Sequence, residues 1–291
     1  MPMTVAPAER PRLIRTLGLS HVVLYGLGVT VGAGIYVLVG EVISLSGDHA
    51  PVAFLIAGLV MLLPAACFAE FTGRLPFAAA EAHFVRAGFN SSVLFLLVGL
   101  GVAAVGIVSS AAIAHGSAGY AAELVALPYE VLLVFFVVLS GIVASLGVRQ
   151  SILVAGLLTL IEVGGLLLLV GGALWSGADF AGQAEKAVPL SLSPALWAGI
   201  FGSSLLAFFA FIGFEDIDSI AEETINPQKT LPRGIFLTLA ITLVLYILVV
   251  LAALATVSIG DLSGSRAPLA IVFDRTTGLS PVAITVIAVL A

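Results

Sequence analysis

Apolar residues fill this chain in long runs separated by short polar intervals. The runs lie at His21–Gly40, Pro51–Phe71, Ser91–His115, Val131–Gly147, Ser151–Trp175, Leu196–Phe214 and Gly234–Ile259, and an eighth opens at Pro281 and reaches Ala291. A helix crossing a bilayer needs roughly 20 such residues, so the pattern predicts an all-α, multispanning membrane protein. The eighth run rises only about 16 Å as a helix, about half a bilayer. The expected organisation is therefore an N-terminal tail, residues 1–20, followed by an incomplete transmembrane domain, residues 21–291, cut inside helix eight.

Two runs are interrupted. The first carries VGAG at Val31–Gly34, and the sixth belongs to the stretch IFGSSLLAFFAFIGFEDIDSIAEETINPQKTLPR, Ile200–Arg233. That stretch begins apolar, crowds Phe208, Phe209 and Phe211 ahead of Gly213, then turns acidic through Glu215, Asp216, Asp218, Glu222 and Glu223. The turn bias of residues that precede proline predicts that the helix has ended before Pro227 and Pro232. Short or interrupted hydrophobic segments at corresponding places in two halves of a chain point to a transporter's binding site. The two interruptions here are five segments apart, and an odd repeat length inverts the second copy, so two broken helices are expected to face each other near the midplane.

Placement of Lys and Arg sets the orientation. With the N-terminus inside, Arg10, Arg12, Arg15, Arg74, Arg86, Arg149, Lys229 and Arg233 are cytoplasmic, and Lys186, Arg266 and Arg275 lie outside. Eight of the 11 basic residues on one side is a positive-inside bias, which predicts a multi-pass protein of the cytoplasmic membrane with its N-terminus in the cytoplasm.

Composition agrees with the run pattern. The chain is 60% hydrophobic and 10% charged, with a mean hydropathy of +1.21, whereas a soluble domain is about a quarter charged. Its 31 glycines suit close approach of membrane helices. A single cysteine, Cys67, excludes a disulfide framework. The net charge of −6 and the lack of a basic run leave no nucleic-acid signal. No pair of histidines or acids has metal-ligand spacing and no nucleophile–base constellation is present, so neither a metal, a cofactor nor an enzyme activity is expected.

The first interruption, GLGVTVGAGIYV, places Gly26, Gly28, Gly32 and Gly34 in one helix. A break at Gly32–Gly34 frees the amide N–H groups of Ala33, Gly34 and Ile35 at the start of a new half-helix, where they and the helix dipole suit a carboxylate. Carbonyls left near Val29 and Thr30 suit an ammonium group or a cation, and irregular backbone at this depth must line a cavity. The alternative is an unbroken helix that packs through Gly28 and Gly32. In the sixth run, carbonyls around Phe209 and Ile212 supply further acceptors, and one of the phenylalanines can lid a bound molecule or simply face lipid.

Together, GLGVTVGAGIYV and FFAFIGFEDIDSIAEETINPQKTLPR resemble the amino acid–polyamine–organocation (APC) family of permeases, across the whole chain. The resemblance implies a LeuT-type five-plus-five inverted repeat with helices one and six unwound, of which seven and a half helices are present. It puts the contact for a substrate carboxylate on the backbone N–H groups of Gly32, Ala33, Gly34 and Ile35. It puts the amine contact on the carbonyls of Thr30, Phe209 and Ile212, and the aromatic gate on Phe209. The implied activity is secondary transport of an amino acid by alternating access. Partners are then the amino acid, a proton or sodium as coupling ion, and the lipid bilayer.

The fifth run departs from the family. Several proton-coupled members carry TL[IV]K there, and this chain reads TLIEVGG, which replaces the lysine by Glu162. Glu162 lies about 15 Å into its run, near mid-bilayer. A carboxylate at that depth must be protonated, paired or bound to a cation, and no basic residue in the apolar runs is there to pair with it. A coupling role as proton carrier or cation ligand is expected, against a purely structural carboxyl group. Proton coupling is the main expectation, with sodium symport or uncoupled exchange as alternatives.

The other polar residues carry weaker signals. His21, His49, His83 and His115 read as interface or loop residues, and Glu70 as ordering the loop after helix two through Arg74. Glu215–Glu223 reads as a solvated helix at the cytoplasmic mouth that pairs with Arg74 or Arg86. Tyr120, Glu123 and Glu130 read as outer-loop residues without chemistry.

Overall fold

A computed structural model describes residues 15–76, 80–122, 124–145, 148–265, 267–278, 280 and 282–290. Arg10, Arg12, Glu123 and Arg266 lie outside these residues. In order the α-helices are α1 (Leu19–Thr30), α2 (Ala33–Ser46), α3 (Ala50–Arg74), α4 (Ala80–Phe89), α5 (Ser92–Ala122), α6 (Tyr129–Ser145) and α7 (Val148–Trp175). Then come α8 (Phe180–Ala187), α9 (Pro194–Phe209), α10 (Pro227–Thr256), α11 (Ile259–Ser263), α12 (Pro268–Thr277) and α13 (Val282–Leu290). Two 3₁₀ helices, Gly47–His49 and Phe214–Glu223, complete the set, and no strand occurs among the described residues. Five helical stretches are long and apolar enough to cross a membrane, and α1 and most of α6 are shorter apolar helices. The protein is an all-α, multispanning membrane protein.

The first membrane segment is divided into α1 and α2 by Val31 and Gly32, which fall outside helical geometry. The sixth is divided into α9 and the 3₁₀ helix Phe214–Glu223 by a turn through Ala210–Gly213. The unbroken first helix, packed through Gly28 and Gly32, is thereby ruled out. Gly28 instead abuts Thr159 of α7.

Three sequence expectations need correction. The helix has ended before Pro227 as expected, but Pro232 follows no helix end. The helix before them stops at Phe209, and α10 starts on Pro227 with Pro232 inside it. Pro227 sits in the first turn, where an N–H would have no intrahelical partner anyway. The polar interval after helix two contains a helix of its own, α4. Tyr120 is not in an outer loop: α5 continues to Ala122, and Tyr120 is fully buried.

The acidic stretch also differs from expectation, because its period is three rather than 3.6. Phe214, Ile217 and Ile220 form one buried row and Asp218, Ala221 and Thr224 another, while Asp216, Ser219, Glu222 and Ile225 are exposed. Side chains three apart eclipse in a 3₁₀ helix, so this pattern fits that geometry. Asp218, only 4% exposed, falls on a buried row. Arg74 does not reach the acidic run; it pairs with Glu70, four residues earlier on α3. Arg86 lies over the ring of Phe95.

The core gathers α1, α2, α3, α9, α10 and the 3₁₀ helix Phe214–Glu223 around Tyr36, Phe54, Phe211 and Tyr246. By contrast, α5 exposes Val93, Leu96, Leu97, Leu100, Val105, Ile107 and Val108 along its membrane-spanning length. Ahead of α1, the backbone N–H groups of Thr16 and Leu17 donate to the Glu223 carbonyl at 2.9 and 3.0 Å, and Ile225 N–H donates to the Leu17 carbonyl at 2.8 Å. This makes a short parallel bridge between Leu17 and Thr224.

Candidate functional site

The two breaks cross in contact. A methyl group added to Gly34 would stand 2.7 Å from Ala210 Cα, and one added to Gly213 would run into the Val29 carbonyl. Gly213 also holds φ +124°, outside the range of L residues. Glycine is needed here twice over, for the turn and for the approach.

Because α2 starts at Ala33, the N–H groups of Ala33, Gly34 and Ile35 belong to a first helical turn and have no partner within that helix. Gly32 caps the helix through its backbone alone, with φ −140° and no side-chain hydrogen bond. On the other side of the break, the Val31 N–H donates to the Leu27 carbonyl at 2.7 Å. The Thr30 carbonyl and the Ala210 carbonyl each lie 2.9 Å from the Tyr246 hydroxyl. A phenol has one proton to donate, so at any instant one of these two carbonyls is without it.

At the second break, the Phe209 carbonyl accepts the Ile212 N–H at 3.3 Å. The Gly213 N–H donates to the Glu215 carboxylate at 2.9 Å. Thr30 and Phe209 carbonyls are thus each occupied once and keep a second lone pair, while the Ile212 carbonyl accepts none of these bonds. The Phe209 side chain is 61% exposed and lies outside the buried core, whereas Phe211 is fully buried and its ring centroid is 5.3 Å from that of Tyr246.

Glu162 projects from α7 and is 4% exposed. Helices α1 and α7 run parallel, with Leu24 against Gly156 and Gly28 against Thr159, a register that sets Glu162 level with Thr30 and the first break. Tyr36 donates to the Glu162 backbone carbonyl at 3.3 Å, and Tyr120 donates to the Tyr36 carbonyl at 2.7 Å. The carboxyl Oε2 is buried without a hydrogen-bond partner. The structure therefore brings Thr30, Gly32, Ala33, Gly34 and Ile35 together with Ile212 at the crossing and sets Glu162 at its level. Phe209 it leaves on an exposed face.

The sequence does not single out Tyr36 and Tyr246, and it reads Tyr120 as an outer-loop residue and Asp218 as part of a solvated helix. For Tyr246 a signal was present: Thr238, Thr242 and Tyr246 recur every four residues in an otherwise apolar run, which is one face of a helix. Elsewhere, His115 meets the Tyr129 hydroxyl at 2.7 Å and His49 the Ala187 carbonyl at 2.9 Å. No group of three or more His, Cys, Asp or Glu residues arranged for a metal occurs among the described residues.

Comparison with known proteins gives the same class. The family model of amino acid permeases matches residues 17–291. The chain is 33% identical over 259 residues to cationic amino acid transporter 2, vacuolar, of Arabidopsis thaliana, covering 82% of this chain and 40% of that protein. It is 27% identical over 296 residues to a branched-chain amino acid permease of Bacillus subtilis, covering 94% and 61%. It is also 26% identical over 268 residues to a methylthioribose transporter of the same bacterium, covering 84% and 56%. The chain thus spans between 40% and 61% of the length of these relatives.

Proposed function

Because this chain belongs to the amino acid permease family, we propose that the protein is a secondary transporter. It moves an amino acid across the cytoplasmic membrane by alternating access, driven by protons. The observation that carries this is the contact of the two helix breaks, Gly34 on Ala210 and Gly213 on Val29, with the buried Glu162 level with them. The substrate carboxylate binds the N–H groups of Gly32, Ala33, Gly34 and Ile35, where the positive end of α2 favours an anion. The amine binds the carbonyls of Thr30, Phe209 and Ile212, and Phe209 gates the site. Glu162 carries the coupling proton.

Orientation follows from the basic residues: the N-terminus is cytoplasmic, residues 1–20 form a tail, and residues 21–291 belong to the transmembrane domain. Relatives are named for cationic and for branched-chain amino acids, so a test panel spans both.

The test is uptake of radiolabelled amino acids by the full-length protein in proteoliposomes, under an inward proton gradient, an inward sodium gradient, or neither. Uptake that needs the proton gradient and loses that dependence in Glu162→Gln supports the proposal. Equal uptake in all three conditions leaves a facilitator or exchanger. Dependence on sodium alone makes Glu162 part of a cation site.

A further inference from the structure

Among the described residues, five buried side-chain oxygens have no hydrogen-bond partner: Thr30 Oγ1, Glu162 Oε2, Asp218 Oδ2, Thr238 Oγ1 and Thr242 Oγ1. The residues that carry them are between 0% and 4% exposed. Buried polar atoms are nearly always paired, so each exception calls for an explanation. They lie on four elements that pack against one another, α1, α7, α10 and the 3₁₀ helix Phe214–Glu223.

Helices α1 and α10 run parallel. Gly234 abuts Val22 and Gly26 abuts Thr238, a register that sets Thr30 opposite Thr242. On α10, Thr238 and Thr242 are one turn apart on the face turned to α1. The 3₁₀ helix joins at the lower level: Ile217 reaches Gly26, and the Ser219 hydroxyl lies 3.1 Å from that of Tyr25. Asp218 is between these two in sequence, on the neighbouring buried row, which sets its backbone near the level of Thr238. Glu162 lies at the upper level beside Thr30. From Gly26 to Val31 the helix rises about 8 Å, so two buried carboxyl groups are separated along the membrane normal by less than two turns, with three unpaired hydroxyls between them.

We propose that Glu162, Thr30, Thr242, Thr238 and Asp218 form a proton path between the coupling site and the side of the membrane that holds the N-terminus. This inference rests on the coupling role proposed for Glu162. A hydroxyl both accepts and donates. The Glu162 carboxyl group gives its proton to a bridging water, which passes one of its own to the hydroxyl oxygen of Thr30 or Thr242, and that hydroxyl passes its proton on toward Thr238. Thr238 in turn gives a proton, again through water, to the Asp218 carboxylate. Glu162 is left a carboxylate, each hydroxyl is restored, and Asp218 becomes a carboxylic acid that releases its proton to water. The one-turn step from Thr242 to Thr238, about 5–6 Å between Cβ atoms, is within the span of one bridging water. Asp216 and Ser219, on the exposed row beside Asp218, open the lower end to solvent.

The charged and titratable groups around this path are few. Near Asp218 lie Glu215 and Asp216 on its own element, Tyr25 on α1 and Glu81 on α4. The α3 helix carries Glu70 and Arg74, which pair with each other, and α10 carries Lys229 and Arg233 ahead of Thr238. Near Glu162 lie Tyr36 on α2 and Tyr246 on α10. None of these groups interrupts the hydroxyl column with a fixed positive charge.

The experiment compares two rates in proteoliposomes holding the full-length protein: uptake driven by a proton gradient, and counterflow of labelled against unlabelled substrate at equal pH. Net uptake requires proton release on every cycle, whereas counterflow does not. Asp218→Asn and Thr238→Val are expected to slow driven uptake by about tenfold or more, with counterflow kept within about twofold. Thr238→Ser, which restores the hydroxyl, is expected to recover driven uptake. If Asp218→Asn also loses counterflow, the Thr238→Val and Thr238→Ser pair decides. Driven uptake unchanged in Thr238→Val, or not restored by Thr238→Ser, overturns the path. Proton dependence that survives Glu162→Gln sinks the coupling role itself, whereas its loss in Glu162→Gln with normal driven uptake in Thr238→Val sinks only the path.

Discussion

The Tyr246 hydroxyl stands 2.9 Å from the carbonyl oxygen of Thr30, the last residue before the first helix break. The same hydroxyl lies 2.9 Å from Ala210, where the other broken helix ends. One side chain on an unbroken helix thus tethers both interruptions. Because its single proton cannot serve both carbonyls at once, an acceptor remains open at the crossing.

Removing that proton tests the tether. Tyr246→Phe keeps the ring packed on Phe54 and Phe211 but leaves buried carbonyls unpaired, a cost of about 1–3 kcal/mol. Thermal melting in detergent is expected to fall by several degrees, and uptake to fall further than the melting loss accounts for. Unchanged melting and uptake would mean that the tether is incidental.

Gly213→Ala is expected to be far more damaging than a surface glycine change. The added methyl meets the Val29 carbonyl, and the backbone is held at φ +124°, which alone costs about 1–3 kcal/mol for a residue with a Cβ. Gly88→Ala, on α4 with open space around it, serves as the control and is expected to be neutral or to stabilise by about 0.5–1 kcal/mol. Melting curves of the two variants separate the cases.

Phe209 and Phe211 are two residues apart and should behave oppositely. Phe211→Ala removes a fully buried ring and is expected to cost about 3–5 kcal/mol. Phe209→Ala, at 61% exposure, is expected to leave melting nearly unchanged. A gating role for Phe209 then shows as impaired uptake at normal stability, and normal uptake in this variant removes it from the site.

The pair of Arg74 and Glu70 is exposed, at 75% and 59% of the side chain. Such pairs contribute about 0–1 kcal/mol. Arg74→Ala is expected to shift melting by no more than about a degree or two, and a larger loss would show that Arg74 has a second partner.

The helix breaks were legible because glycine clusters and an acidic turn inside an apolar run contradict a continuous span. The crossing of Gly34 on Ala210 was not legible, since helix spacing says which segments are broken but not how closely they approach. Tyr246, Thr238 and Thr242 hid because a few hydroxyls cost little in an apolar run and read as tolerated. The burial of Asp218 is hidden for a different reason. An acidic stretch suggests solvent, and only a period of three, with Phe214, Ile217 and Ile220 on one row, shows that the next row is buried as well. The sequence reads the seventh run as starting at Gly234 because proline usually ends a helix, although Pro227 occupies the first turn of α10, where it is well tolerated.

The bridge between Leu17 and Thr224 ties the start of the first membrane segment to the far end of the sixth, so that the two move as a single lever. Neither half can swing outward alone without breaking three backbone hydrogen bonds, each contributing about 0.5–1.5 kcal/mol. Such a latch is written in main-chain atoms, so most side-chain replacements at Leu17 or Thr224 leave it fastened. Leu17→Pro, which removes one of the three donors, is the replacement that would loosen it.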